Sequence, residues 1–220
     1  MTGLTELGTL GSARLWLVDL EAGSESDHWA LLDPNEQSRA ARFVFAHDRK
    51  HYIAAHSALR RLLAQHTGRA LDDVRYVLGE FGKPALADAP GCAFNLSHSE
   101  DVGLIGIADS GELGVDVEIL RPVLDATALS LDNFTPAEQA TLSRASASDH
   151  DLVFFWGWTR KEACLKATGS GLSISPKTFE VGLTGEVRNV AIRTTSGLSQ
   201  IKVQSFRHGP RVLGALAQTL

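Results

Sequence analysis

The sequence predicts an α+β protein built of two similar lobes, residues 1–112 and 113–220. Three observations predict it. Short runs with strand character and longer runs with helical spacing occur together in both halves. The same helix-start signature appears once in each half, as Asp33-Pro34-Asn35-Glu36 and as Thr135-Pro136-Ala137-Glu138. Each is a capping side chain, a proline where a missing N–H does no harm, and a glutamate placed to reach back. Around each signature the order repeats with little residue identity: a strand, a short helix, a longer helix, then several strands. No Pro/Gly/Ser-rich linker marks the junction, so the lobes are expected to pack tightly.

Taken in order, Ala13 to Leu20 reads as a strand, and the helix opened by Asp33 is expected to run to about Phe45. A second helix starts near Asp48, with Tyr52, Ile53, Ala55, Leu59, Leu62 and Leu63 at helical spacing and Gly68 as its stop. Strands follow at Val74 to Leu78, Ala93 to Leu96 and Val102 to Ala108, and the Asp109-Ser110-Gly111 turn leads into Leu113 to Leu120. In the second half the Thr135 signature precedes a helix over roughly Asp151 to Thr168, ended by Gly169. Four strands close the chain, at Thr178 to Leu183, Val187 to Arg193, Gln200 to Phe206 and Val212 to Ala217.

The 220 residues can bury a sizeable core, and 44% hydrophobic with 21% charged residues is ordinary for a globular chain. A net charge of -5 argues against nucleic-acid binding driven by bulk charge. Cys92 and Cys164 make no disulfide framework. The opening MTGLTELGTLGSARLW lacks a basic segment followed by a long apolar one, and no run approaches the roughly 20 apolar residues of a membrane span. The expectation is a cytoplasmic protein without a membrane partner.

Two segments about forty residues apart carry the chemistry. In Gly114-Val115-Asp116-Val117-Glu118-Ile119, strand alternation puts Asp116 and Glu118 on one face, roughly 6–7 Å apart, and turns Val115, Val117 and Ile119 to the core. Two such carboxylates repel unless a cation lies between them, and a hard ion such as magnesium suits them. An acidic outer face is the alternative, and for an isolated D-x-E it is the commoner explanation. In Trp158-Thr159-Arg160-Lys161-Glu162-Ala163-Cys164-Leu165-Lys166, helical spacing aligns Trp158, Glu162 and Lys166 on one face. Glu162 can complete a metal site and Lys166 can hold a phosphate oxygen; a solvated Glu–Lys pair is the plainer reading. Phe81-Gly82-Lys83-Pro84 is a loop that is no Walker sequence, either a turn with a solvated lysine or a rigid loop aiming Lys83 at an anion. Asn95-Leu96-Ser97-His98-Ser99 offers an amide, two hydroxyls and an imidazole to a phosphate, although neighbours in a strand point to opposite faces. His47, His51 and His56 give no clean metal face and read as surface histidines.

Together, G-K-P, F-N-L-S-H-S, G-V-D-V-E and W-T-R-K-E-A-C-L-K, in this order and spacing, resemble the 4′-phosphopantetheinyl transferases, and in particular the two-lobed, surfactin-synthetase-activating type. The motifs span residues 81 to 171. The resemblance implies an internally duplicated half-length fold, pseudo-twofold, with the active site at the lobe interface. It implies transfer of the phosphopantetheine arm of coenzyme A to a serine of an apo acyl or peptidyl carrier protein, releasing adenosine 3′,5′-bisphosphate. By the same resemblance Asp116, Glu118 and Glu162 are metal ligands for magnesium, with manganese as a substitute, and Lys166 contacts coenzyme A. Gly82, Lys83 and Pro84 lie near the nucleotide, Ser97 and His98 contact its phosphates, and Arg39 and Arg49, with Arg42 and Lys50, belong to a basic helical region that holds the coenzyme. Glu138 matches a recurring acidic residue, although its capping position explains it equally well. Asp116, Glu162 and Lys166 form the expected catalytic set, with Glu162 as the base for the carrier serine, directly or through metal-bound water. A chain that contains both lobes is expected to act as a monomer.

Overall fold

The computed structural model describes residues 3–89 and 91–220; residues 1, 2 and 90 of the expected first lobe lie outside the described residues. The chain opens with an antiparallel pair, β1 (Leu4–Leu10) and β2 (Ala13–Asp19), then α1 (Glu25–Trp29), α2 (Pro34–Ala40) and α3 (Ala46–Thr67). A hairpin of β3 (Tyr76–Leu78) and β4 (Pro84–Leu86) precedes β5 (Ala93–Ser99) and β6 (Val102–Ala108). The second half runs β7 (Leu113–Ile119), α4 (Ala126–Asn133), α5 (Pro136–Ser143), α6 (His150–Thr168), β8 (Arg188–Thr194), β9 (Gly197–His208) and β10 (Val212–Thr219). Each half supplies one four-stranded antiparallel sheet, in the orders β1-β2-β6-β5 and β7-β10-β9-β8.

Apolar clusters hold these layers. In the first half Ala55, Leu59 and Leu63 of α3 cover Trp16, Val18 and Ile105. In the second, Ala163, Cys164 and Ala167 of α6 cover Ile201, Val203 and Ala215. A third cluster joins the halves, with Leu15, Leu17 and Leu104 against Val115, Val117 and Leu216. Burial of this shared core welds the two sheets, because separating them would return those side chains to water at about 25 cal/mol for each Å² exposed.

Both predicted capping boxes form. Asp33 accepts the Glu36 N–H at 2.8 Å, while Glu36 accepts the Asp33 N–H at 3.1 Å. Thr135 and Glu138 repeat the exchange at 3.3 and 2.9 Å. Gly68 and Gly169 end the long helices in the left-handed conformation, each with φ 67°; this region is open to glycine at no steric cost.

The structure corrects several boundaries. The helix opened by Asp33 stops at Ala40, and Phe45 begins the next one. Thr178 to Leu183 is not a strand, although Phe179, Val181 and Leu183 alternate inward and are buried. The Glu138 carboxylate takes the N–H groups of Val181 (2.7 Å) and Gly182 (3.2 Å) that a neighbouring strand would otherwise take.

Candidate active site

β5 and β7 are edge strands of different sheets, and they face each other along the seam between the halves. Asn95, Ser97 and Ser99 share one face of β5 by strand alternation. The Asn95 amide oxygen accepts the Val115 N–H at 2.9 Å, the Ser97 hydroxyl donates to Asp116 at 2.9 Å, and the Ser99 hydroxyl donates to Glu118 at 2.7 Å. The seam is thus stitched by side chains where a continuous sheet would use backbone.

α6 lies directly on β7 because Gly114 has no side chain. A Cβ there would meet the Ala163 carbonyl oxygen and the Ala167 amide nitrogen far inside van der Waals contact. The close approach brings the Lys166 ammonium to 2.7 Å from Asp116 Oδ1 and 2.9 Å from the Ser97 hydroxyl. Asp116 is only 5% exposed, and its Oδ2 is buried without a hydrogen-bond partner. Burial pushes the Asp116 carboxyl up to about 6, against the pull of Lys166 and Ser97 and with a further push from the charge of Glu162. Glu118, two residues on, is held by Arg121 at 3.0 Å as well as by Ser99, and the Arg121 guanidinium lies 5.1 Å from the centre of the Phe155 ring.

These contacts bear on the expected metal ligands. Among the described residues no three His, Cys, Asp or Glu side chains are grouped closely enough to hold a metal ion. The structure therefore does not gather Asp116, Glu118 and Glu162 into one cluster; Asp116 and Glu118 are each turned to a protein cation and a serine. The donor chemistry nevertheless fits a hard divalent cation: carboxylate oxygens, with one buried oxygen of Asp116 left unpartnered.

Beside this seam lies a cavity of about 290 Å³ lined by Gly82, Lys83, Pro84, Asn95, Glu162 and Lys166 among others. It brings residues expected at the nucleotide together with two of the catalytic set. Lys83 is not a free cation there. It donates to Glu112 at 2.6 Å and to the Ala167 carbonyl at 3.2 Å, tying the β3–β4 hairpin to the end of α6. Burial pulls its ammonium below the usual lysine range, while Glu112 opposes the shift.

Ser97 and His98 are not side by side. His98 faces a different cavity, of about 550 Å³, with Arg39, His47, His51 and His56 on its walls. Lost hydration and then the positive charge of Lys166 hold the His98 imidazole below its ordinary range. Arg39 lies over the Tyr52 ring at 5.5 Å. Arg49 is engaged by Glu25 at 3.1 Å and is not among the described residues that line either cavity. The expectation of surface histidines fails for His51 and His56, whose side chains are 15% and 23% exposed; they bond to Glu21 (2.6 Å) and Glu36 (3.0 Å). Trp158 sits apart from both cavities, stacked on Phe154 at 5.8 Å, in a recess that Glu118 and Arg121 also border. Glu138 is structural: besides its cap it pairs with the buried Lys161 at 2.8 Å.

Sequence reasoning missed Arg121 and Glu112 as parts of this site, and offered Asn95 and Ser99 to a phosphate where they bond to the Val115 N–H and to Glu118. The period-two run Asn95-x-Ser97-x-Ser99 was a usable signal, because whatever Ser97 faces its neighbours at i±2 face too. Arg121 and Glu112 lie in connections, where no periodicity assigns a direction.

A model of the 4′-phosphopantetheinyl transferase superfamily matches residues 112–215, and one of the 4′-phosphopantetheinyl transferase N-terminal region matches residues 24–109. The 4′-phosphopantetheinyl transferase HetI of Nostoc sp. is 34% identical over 175 residues, covering 77% of this chain and 73% of the relative. The transferase Sfp of Bacillus subtilis is 26% identical over 154 residues, 70% of this chain and 67% of the relative. AcpT of Escherichia coli K12 is 41% identical over 110 residues, half of this chain. The chain belongs to the 4′-phosphopantetheinyl transferase superfamily, in its two-lobed form. It is an enzyme of that class, using coenzyme A to activate carrier proteins.

Proposed function

We propose that phosphopantetheine transfer takes place at the β5–β7 seam, in the cavity bordered by Lys83, Glu162 and Lys166. The single observation that carries this reading is the Ser97–Asp116–Lys166 cluster, in which a buried carboxylate keeps one oxygen unpartnered and bonds to Lys166, a residue that lines that cavity. Asp116, Glu118 and Glu162 would hold magnesium, or manganese in its place. When bound there, such an ion would supply positive charge for phosphate oxygens.

The chain's own residues do the rest. Gly82, Lys83 and Pro84 form a firm wall for the nucleotide. Lys166 is half-buried and already poised over the seam, so it can transfer its hydrogen bonds from Asp116 to a phosphate oxygen and stabilise charge that develops on the leaving phosphate. His98 and Arg39, on the walls of the second cavity, supply donors and charge for the remaining phosphate. Glu162 lies on the α6 face one turn before Lys166 and takes the proton of the carrier serine as its oxygen attacks phosphorus. The division at residues 112 and 113, action as a monomer, and residence in the cytoplasm belong to the same reading; among the described residues no helix is long and apolar enough to cross a membrane.

The test is a mass measurement. Protein, magnesium and coenzyme A should raise the mass of an apo acyl or peptidyl carrier by one phosphopantetheine, and chelation of the metal should stop the reaction. Hydrolysis of coenzyme A at the same rate without any carrier would overturn the reading in favour of a phosphodiesterase.

A further inference from the structure

We infer that Arg121 and Lys166 are built-in counter-ions of the Asp116–Glu118 pair, which a divalent cation reaches fully only when a polyphosphate ligand draws these two cations away. The inference rests on the proposed metal site, and it concerns residues of this chain that no motif assigns to such a role, Arg121 above all.

Two matched sets of contacts carry it. Asp116 receives the Ser97 hydroxyl and the Lys166 ammonium; Glu118 receives the Ser99 hydroxyl and the Arg121 guanidinium. The serines come from alternate positions of β5 and the carboxylates from alternate positions of the facing β7, so the two sets lie side by side. Two neighbouring carboxylates need compensating charge in a partly buried seam. Lys166 and Arg121 provide one positive charge for each.

A divalent ion entering this arrangement brings charge that the seam has already balanced. Its binding therefore opposes Lys166 and Arg121 until a polyanion arrives to neutralise them. Both cations can leave. Lys166 borders the nucleotide cavity and is 30% exposed. Arg121 is 45% exposed, lies just after β7, and retains the Ile119 carbonyl (2.9 Å) and the Phe155 ring face as partners. Metal and coenzyme A then bind with positive coupling, and by linkage each strengthens the other by the same factor. A surface ion pair with no such role would leave metal affinity indifferent to Arg121.

The experiment is titration calorimetry of magnesium with the full chain, with and without saturating coenzyme A, for the wild type, Arg121→Gln and Arg121→Lys. In the wild type, coenzyme A should tighten magnesium binding by about tenfold or more. Arg121→Gln should tighten binding of magnesium alone by about five- to tenfold, as expected when one positive charge is removed a few ångströms from a divalent ion in a partly solvated site. It should also shrink the effect of coenzyme A, while Arg121→Lys stays near the wild type. Unchanged or weakened binding of magnesium alone to Arg121→Gln, or a wild-type affinity indifferent to coenzyme A, overturns the inference. A wild type that binds the two ligands with coupling yet modifies no carrier supports the counter-ion role and sinks the transferase site; carrier modification with uncoupled metal binding does the reverse.

Discussion

Replacing Asp116 by Asn should make the metal-free protein more stable and the enzyme inactive. A carboxyl with an ordinary value of 3.8 that burial holds at about 6 resists ionisation in the fold. At about 1.4 kcal/mol per pH unit, that destabilises the native state by about 3 kcal/mol once the group is charged. Because the native value is the higher one, the protonated group stabilises the fold fully below the unfolded value near pH 4. That stability is lost as pH rises through about 6. The asparagine mimics the protonated form at every pH, keeping an oxygen for Ser97 and Lys166. Its amide would stand where Oδ2 has no partner, which costs about 1 kcal/mol. The net gain at neutral pH is then about 2 kcal/mol, or roughly 4–8 °C in melting temperature for a chain of this length. Melts in chelator from about pH 4 to pH 8 should show no advantage at the acid end, an advantage that grows through the middle of the range, and a plateau above pH 6. Carrier modification should fall by about a hundredfold or more. An Asn variant less stable than the wild type at neutral pH, or a stability difference that does not change with pH, would refute the reasoning.

Two further predictions concern the frame of the site. Gly114→Ala forces a methyl group into the backbone of α6 between Ala163 and Ala167; it should destabilise by roughly 3 kcal/mol or more and lift Lys166 off Asp116, seen as a lowered melting temperature with activity lost even in the folded fraction. Lys161→Met leaves Glu138 buried without its cation, and removes donors to the Pro176 and Phe179 carbonyls. Urea unfolding should report a loss of about 3–5 kcal/mol, and a double cycle with Glu138→Gln should recover part of it.

How far the sequence reveals this molecule depends on which interactions decide each element. Capping boxes at Asp33 and Thr135 and stops at Gly68 and Gly169 were legible because they are local: the chain within four residues contains both partners. β1 and α1 were not. β1 is an edge strand with a register shift between Glu6 and Gly8 and little regular burial, and α1 buries none of its residues, so neither has an apolar face to read. Thr178 to Leu183 had the alternation of a strand and lost its ladder to Glu138, a partner about forty residues away. In the site, residue types were legible and pairings were not. Asp116 and Lys166 announce charge, but only the packing of α6 on Gly114 places one upon the other. Arg49 looks as basic as Arg39, and Glu25 decides between them.

The two halves explain why only one carries the Asp116–Glu118 and Glu162–Lys166 pairs. Counted from the helix-stop glycines, Arg60 of α3 occupies the place of Lys161 of α6, and each pairs with the glutamate of its lobe's capping box: Arg60 with Glu36 at 3.3 Å, Lys161 with Glu138 at 2.8 Å. Both cations also bond backbone carbonyls of the loop beyond their helix, Arg60 those of Leu71 and Val74, Lys161 those of Pro176 and Phe179. This clamp is duplicated because each lobe needs it to close a short helix onto a long one. The chemistry is not. β2 and β7 each precede the helices of their half and pair with its last strand, β6 or β10, yet where β7 has Asp116 and Glu118, β2 has Trp16 and Val18, and where α6 has Glu162 and Lys166, α3 has Arg61 and Gln65. Trp16 and Val18 lie in the first core under α3. Charges at those positions would be buried with no seam, serine or cation to receive them, at a cost of several kcal/mol each. The first half therefore meets the site from the other side, through Asn95, Ser97 and Ser99 on β5 and Lys83 on the hairpin. That division makes β5 against β7 a pairing on whose geometry both stability and the proposed catalysis depend.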